Sequence, residues 1–196
     1  MENCCPQGSL GFQAPDYKVE GNEETLADNL KVFWKGSGKN AVLMVHDIFG
    51  YNSGRHKNIV AELAEDCGFL VAFPDLYRGE PLPEDSEDFI NFSLKYPFEK
   101  LNKDLMTVVE FLKAKGAEKI GLIGFCWGAW VNAKLCSDSD LWVCAVNPHP
   151  SYQLEKFAFK GDDEGLAKTI KCPQLILPTG NDPDYVKEDG SFIKNL

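Results

Sequence analysis

The chain has 196 residues, a length that suits one domain with a sizeable core. Its formal net charge of -10 argues against nucleic acid or an anionic membrane surface as the main partner. No apolar run is long enough to cross a bilayer, and the first residues carry no secretory signal. The 7 cysteines are scattered without a C-x-x-C pair, so we expect reduced thiols and a cytoplasmic location.

Short apolar segments alternate with amphipathic ones along the chain. The predicted strands are residues 31–34, 40–46, 69–73, 119–124, 141–147 and 174–177. Between them, apolar residues recur at helical spacing in residues 58–67, 101–115 and 128–136. Residues 81–88 are acidic and contain proline, so we expect them to form a surface excursion. The alternation predicts an α/β fold, a mostly parallel sheet with helices on both faces.

One corner of this pattern, Gly124-Phe125-Cys126-Trp127-Gly128, has the glycine spacing of the G-x-S-x-G nucleophile elbow, with cysteine in place of serine. The predicted strand before it and helix after it supply the expected context. The helix N-terminus favours a thiolate, which indicates Cys126 as a nucleophile. The alternative is an inert cysteine at a tight turn.

The elbow is accompanied by three further motifs in a fixed order. MVHDIFG, AFPDLYRGE, LIGFCWGAW and LPTGND follow one another along the chain. Together they resemble the dienelactone hydrolase family, which has the α/β-hydrolase fold. Cys4, Cys5 and residues 149–151 look most like a fungal or eukaryotic branch of it. The resemblance implies hydrolysis of small-molecule lactones or activated esters by a cysteine–histidine–aspartate triad, with no cofactor and no metal.

Carried over residue by residue, the resemblance assigns Cys126 as the nucleophile and Asp182 as the triad acid. The backbone amides of Ile48 and Trp127 match the family's oxyanion donors. Asp182 also fits a turn or a helix cap, and Asp184 is a near neighbour that could be confused with it.

Three further residues are assigned by the same resemblance. Many members of the family have a glutamate that contacts the resting thiol, and Asp47 stands in that place, one methylene shorter. Tyr77 and Arg78 lie near the place where members of the family hold a substrate carboxylate.

The triad histidine is the point at which the chain departs from the family. In this fold the chain order is nucleophile, acid, histidine, yet no histidine follows His149. We therefore expect a single, C-terminally incomplete domain that lacks the last strand and helix. Of the histidines present, His56 is interpreted as a solvated surface residue and His46 as a hydrogen-bonded structural one. His149 is the best substitute base, although its use requires a chain order foreign to the fold.

Two functions follow from these residues. The first is a cysteine-dependent hydrolase that transfers an acyl group through Cys126. The alternative is a non-catalytic relative that binds a ligand or senses redox state through the same thiol. The strand at residues 174–177 would be an open edge, so we expect a monomer or a weak homodimer.

Overall fold

The computed structural model describes residues 19–83, 86 and 88–196. Cys4 and Cys5 therefore lie outside the described residues. Within the described part of the chain, a single sheet has seven strands in the order β1-β2-β4-β3-β5-β6-β7. The strands are β1 (Asn22–Thr25), β2 (Lys31–Lys35), β3 (Asn40–Val45), β4 (Leu70–Pro74), β5 (Lys119–Gly124), β6 (Trp142–Pro148) and β7 (Gln174–Leu177).

The sheet is parallel from β4 through β3, β5 and β6 to β7, whereas β1 and β2 pair antiparallel at one edge. The carboxyl ends of five strands therefore meet along one rim, where ligands bind in sheets of this kind. This confirms the predicted α/β class. The predicted strand positions are correct to within one residue at either end.

Helices cover both faces of the sheet. They are α1 (His56–Cys67), α2 (Phe89–Leu94), α3 (Phe98–Ala114), α4 (Trp127–Asp138), α5 (Leu154–Phe157), α6 (Asp163–Thr169) and α7 (Ser191–Lys194). Short 3-10 turns lie at Ala27–Asn29 and Asp184–Val186. Within the described residues no helix is long and apolar enough to cross a membrane.

The alternation of side chains along β3 divides the core in two. Val42 and Met44 pack with α1, whereas Leu43 and Val45 belong to the larger cluster that includes α3 and α4. Every residue of β3 after Asn40 is buried, as expected of a strand with helices above and below.

Sequence patterns missed some elements for physical reasons. All four residues of β1 are exposed, so no apolar alternation marks the strand. The surface excursion predicted for residues 81–88 is wrong at Leu82, which is 3% exposed and whose amide donates to the carbonyl of Ile48. Leu82 therefore anchors the acidic loop to the residue assigned as an oxyanion donor.

The strand β7 lies at the edge of the sheet, and within the described residues no strand pairs with its outer side. Leu175 and Leu177 are 53% and 46% exposed there. The open edge predicted for this segment is therefore present. The oligomeric state and the completeness of the chain stay predictions.

The close approach of α4 to the sheet supplies a stability test. A Cβ added to Gly128 would lie 2.6 Å from the carbonyl oxygen of His46 and 2.7 Å from that of Val45. Alanine alone should favour the helix by about 1 kcal/mol, but backbone oxygens cannot swing away. We expect Gly128→Ala to lower the free energy of unfolding by about 1–3 kcal/mol in urea titrations.

Gly180→Ala is the matched control, because no heavy atom lies within 4 Å of a Cβ built there. It should change the unfolding free energy by less than about 0.5 kcal/mol. A stabilised Gly128→Ala protein would show that helix propensity outweighs the contact with the strand.

Candidate active site

Cys126 occupies a strained corner between β5 and α4. Its φ is 52° and its ψ is -109°, a positive-φ conformation that residues other than glycine rarely adopt. The flanking glycines permit the turn, since a Cβ on Gly124 would lie 2.3 Å from the carbonyl oxygen of Gly128. The predicted strand, tight turn and helix are all present. The side chain is buried at 7% exposure, at the N-terminus of α4.

The segment that follows β6 wraps around the cysteine backbone. The amide of Cys126 donates to the carbonyl of Pro148 at 3.1 Å, and its carbonyl accepts from the amide of Ser151 at 3.1 Å. These bonds hold residues 148–151 against the elbow. His149 lies between the two residues that make these bonds, and its φ is 50°.

His149 and Asp182 are in contact, with Nδ1 and Oδ1 2.6 Å apart. The second carboxylate oxygen accepts from the amide of Thr179 at 2.7 Å, so Asp182 also closes its own turn. Its side chain is 2% exposed, whereas that of Asp184 is 99% exposed and pairs with Lys187. The structure therefore separates the two aspartates and brings the buried one to a histidine.

The parallel pairing of β6 with β7 explains this meeting. The amide of His149 donates to the carbonyl of Leu177, which continues the ladder between the strands beyond Pro148. The loops after both strands consequently leave the sheet side by side. The chain order looked foreign to the fold, but neighbouring strand ends put histidine and acid in contact regardless of order.

Ser151 is a site residue that sequence reasoning missed. Its Oγ lies 3.2 Å from Sγ of Cys126, and the residue is 1% exposed. A serine after Pro150 carries no signal of its own in a single sequence. Its position after a strand end was the available clue. The hydroxyl can donate to a thiolate or accept from a thiol.

The end of β3 lies directly beside the elbow. The amide of Phe125 donates to the carbonyl of Val45 at 3.2 Å, which places the loop after β3 next to the start of α4. Ile48 and Trp127 are buried at 3% and 0% exposure. In the part of the chain that the structure describes, neither of their amides donates a hydrogen bond. Two amides without acceptors at one strand–helix corner can donate to a negatively charged oxygen, as the donors of an oxyanion hole do.

The Asp47 side chain organises the same loop. One carboxylate oxygen accepts from the amide of Phe49 at 2.9 Å and from the hydroxyl of Ser53 at 2.8 Å. The other lies 3.8 Å from Nε2 of His56. These contacts hold the loop in shape, and the predicted contact of Asp47 with the resting thiol stays a prediction.

The interpretation of His56 as a solvated surface residue is wrong. Its ring is 5% exposed and packs against Phe73 and Phe125, with ring centroids 5.4 and 5.0 Å apart. Its Nδ1 lies 2.9 Å from the carbonyl oxygen of Ser53. The start of α1 lies over the end of β4, which a histidine at a helix start does not reveal.

Tyr77 packs into the aromatic cluster around the elbow. Its ring centroid is 4.4 Å from that of His46 and 4.9 Å from that of Trp127. Burial raises the pKa of Tyr77 well above its ordinary value, and the charges of Asp47 and Cys126 raise the pKa further. The phenol is therefore neutral and lies within electrostatic reach of the thiol.

Arg78 is engaged elsewhere. Its guanidinium lies 2.9 Å from Oδ1 of Asp104 on α3, and it donates to the carbonyls of Asp28 and Asp75 at 3.1 and 3.2 Å. The Asp104 carboxylate already balances its charge. The structure ties Arg78 to α3 and to the turn that follows β1, and binding of a substrate carboxylate by Arg78 stays a prediction.

A strand–elbow–helix corner at the carboxyl rim of a mostly parallel sheet, with a histidine–aspartate pair beside it, defines a hydrolase of the α/β-hydrolase fold. The profile of the dienelactone hydrolase family matches residues 31–195. An uncharacterized AIM2 family protein of Schizosaccharomyces pombe is 33% identical to this chain, over 99% of the chain and 77% of its own length.

A second relative, the carboxymethylenebutenolidase homolog of Rattus norvegicus, is 33% identical over 97% of this chain and 76% of its own length. Among solved structures, Est1E from Butyrivibrio proteoclasticus superposes with a TM-score of 0.60 over 81% of each chain, at 13% identity, which is a likeness of fold. The chain belongs to the dienelactone hydrolase family, and by class it is a carboxylic ester hydrolase.

The buried His46 gives the site a pH-dependent stability. Burial lowers the pKa of His46 from 6.5 to about 3 in the folded protein, so the unfolded chain binds a proton that the folded chain does not. Stability is therefore present above the unfolded pKa and is lost as pH falls below it. Between pH 5.5 and 4.5 this loss amounts to about 1.4 kcal/mol per pH unit.

We expect the unfolding free energy of the wild-type protein to fall more steeply than that of His46→Asn by about this slope. Urea titrations at pH 5.5, 5.0 and 4.5 measure the difference, because carboxylates and the other histidines contribute equally to both proteins. If the unfolding free energies of the two proteins fell with pH at the same slope, His46 would accept a proton in the folded protein.

Proposed function

We propose that the protein hydrolyses lactones or activated carboxylic esters through Cys126, with His149 as the general base and Asp182 as the acid that orients it. The observation that carries the proposal is the 2.6 Å contact between His149 Nδ1 and Asp182 Oδ1, beside a cysteine in a strained elbow. A carboxylate on one imidazole nitrogen directs the other nitrogen to proton transfer, which is the logic of a triad.

In the first step, the Cys126 sulfur attacks the carbonyl carbon of the ester while its proton passes to Nε2 of His149. A carbon–sulfur bond forms, and the carbonyl electron pair moves onto oxygen. The amides of Ile48 and Trp127 donate to this oxyanion. The intermediate collapses as the ester carbon–oxygen bond breaks, and His149 returns the proton to the leaving alkoxide.

In the second step, water attacks the thioester carbon and gives a proton to His149. The carbon–sulfur bond breaks, the acid product leaves, and the thiolate regains its proton from the imidazolium. With a lactone, the leaving alkoxide remains tethered to the acyl group until this hydrolysis. Asp182 stays in contact with Nδ1 throughout and stabilises the imidazolium, while its second oxygen accepts from the amide of Thr179.

The substrate pocket is proposed to lie over Tyr77 and Trp127. Both rings are buried next to the elbow, and the phenol is neutral. An apolar wall with one hydroxyl suits a small cyclic or aromatic ester. A carboxylate on the substrate would reach Arg78 only in competition with Asp104.

A set of three variants tests the mechanism. With 4-nitrophenyl acetate and a butenolide as substrates, Cys126→Ala should abolish turnover. His149→Ala should lower kcat/KM by about 10²–10⁴-fold through loss of general base catalysis. Asp182→Asn should lower it by a similar or smaller factor, because the imidazole loses both its orienting partner and the stabilised cation.

Asp184→Asn is the matched control, since that carboxylate is 99% exposed and has no contact with a histidine among the described residues. It should retain wild-type kinetics. An active wild-type protein whose turnover survives His149→Ala would assign the base to another group. A wild-type protein without turnover, but with a thiol that oxidises selectively at Cys126, would favour the redox-sensing alternative.

Ser151 yields a separate prediction about the thiol. If its hydroxyl, 3.2 Å from the sulfur, donates to the thiolate, Ser151→Ala should shift the pH midpoint of iodoacetamide labelling at Cys126 upward by about one unit. Mass spectrometry of the labelled peptide measures the rate at each pH. Ser53→Ala provides the comparison, since its hydroxyl binds Asp47 and should leave the midpoint in place. An unchanged midpoint in Ser151→Ala would show that the hydroxyl only accepts from the thiol.

A further inference from the structure

His46 is a fully buried histidine whose tautomer is fixed by a single contact. Its Nδ1 lies 2.7 Å from the carbonyl oxygen of Asp47. A carbonyl oxygen can only accept, so Nδ1 carries the proton and donates to it. Burial also keeps the ring neutral, because it lowers the pKa of His46 to about 3. The ring is therefore a neutral donor at its Nδ1 position across the working pH range.

The carbonyl that His46 holds belongs to the peptide that carries the Ile48 amide. In a trans peptide the carbonyl of one residue and the N–H of the next lie in one plane and point in opposite directions. Fixing the Asp47 oxygen therefore fixes the direction of the Ile48 N–H. A second donor, the amide of Gly50, binds the same oxygen at 3.2 Å.

The same residue also contacts the other half of the proposed oxyanion hole. Its ring stacks on that of Trp127, with centroids 5.5 Å apart and planes 10° from parallel. The His46 carbonyl lies so close to Gly128 that a Cβ there would approach it to 2.6 Å. His46 is thus packed between the strand that presents Ile48 and the helix that presents Trp127.

We propose that His46 is the positioning residue of the oxyanion hole: its Nδ1–H locks the Asp47–Ile48 peptide so that the Ile48 amide points at the developing oxyanion. The assignment rests on the proposed function of that amide. His46 touches no reacting atom, and it acts on the rate through the peptide that it holds. Its Nε2 has no hydrogen-bond partner among the described residues, so this role depends on Nδ1 alone.

Two variants separate the hydrogen bond from the packing. His46→Asn offers a side-chain N–H near the place of Nδ1 but loses the aromatic stack. His46→Phe keeps a ring against Trp127 but cannot donate. If orientation of the peptide matters, His46→Phe should lower kcat by about 10–100-fold with KM within about 3-fold, below the full effect of deleting an oxyanion donor. His46→Asn should retain kcat within about 5-fold of wild type.

Iodoacetamide labelling of Cys126 should proceed at the wild-type rate in both variants, because the nucleophile is untouched. A ranking in which His46→Phe is the more active variant would overturn the proposal and leave His46 as a packing residue. So would a fall in kcat that simply follows the loss of thermal stability in the two proteins.

NMR spectra test the role of His46 independently of the proposed hydrolase activity. Two-bond ¹⁵N correlation spectra of the imidazoles should show His46 as the Nδ1–H tautomer, without titration between pH 5 and 8. The ¹H and ¹⁵N shifts of the Ile48 amide should move in His46→Phe and much less in His46→Asn. A wild-type protein without turnover would end the hydrolase proposal, while these spectra would still decide the peptide orientation. The Nε2–H tautomer would overturn the His46 assignment.

Discussion

The contact between the carboxyl end of β3 and the first turn of α4 is the constraint on which the site depends. Gly128 has no room for a side chain against the carbonyls of Val45 and His46, so the helix begins directly on the strand. This approach holds Cys126 at a positive φ, because only Phe125 and Cys126 join the end of β5 to the start of α4. The strain is held by buried packing on both sides, and the result is a thiol presented at the rim of the sheet.

The neighbouring strands β6 and β7 bring the remaining residues of the site together. Parallel pairing of β6 with β7 puts the loops after them side by side, which brings His149 to Asp182. The segment after β6 also binds the backbone of Cys126 through Pro148 and Ser151. One loop therefore connects Cys126 to the histidine–aspartate pair. In a parallel sheet, two side chains meet when the strands that precede them are neighbours. The order of the two residues along the chain does not decide whether they meet.

Much of this arrangement was predictable because it rests on local patterns. Apolar runs marked the inner strands, and the glycines around Cys126 marked the elbow, since only small residues fit there. What escaped prediction depends on contacts distant in sequence. The hydroxyl of Ser151 meets the thiol across 25 residues, and nothing beside it in the sequence marks that meeting. The burial of His56 was missed for the same reason, because a helix start does not reveal what packs above it.

His46 and His149 have the same side chain, but their surroundings in the fold give them different chemical properties. His46 is sealed among Tyr77 and Trp127, where charging is so costly that the ring can only donate from one nitrogen. His149 is 27% exposed at the side chain, and its Nδ1 contacts a buried carboxylate. Proton transfer needs a group that can change charge, and fixing a peptide needs one that cannot. Burial of the first ring and the contact of the second with Asp182 therefore support the opposite tasks that we propose for them at the same rim.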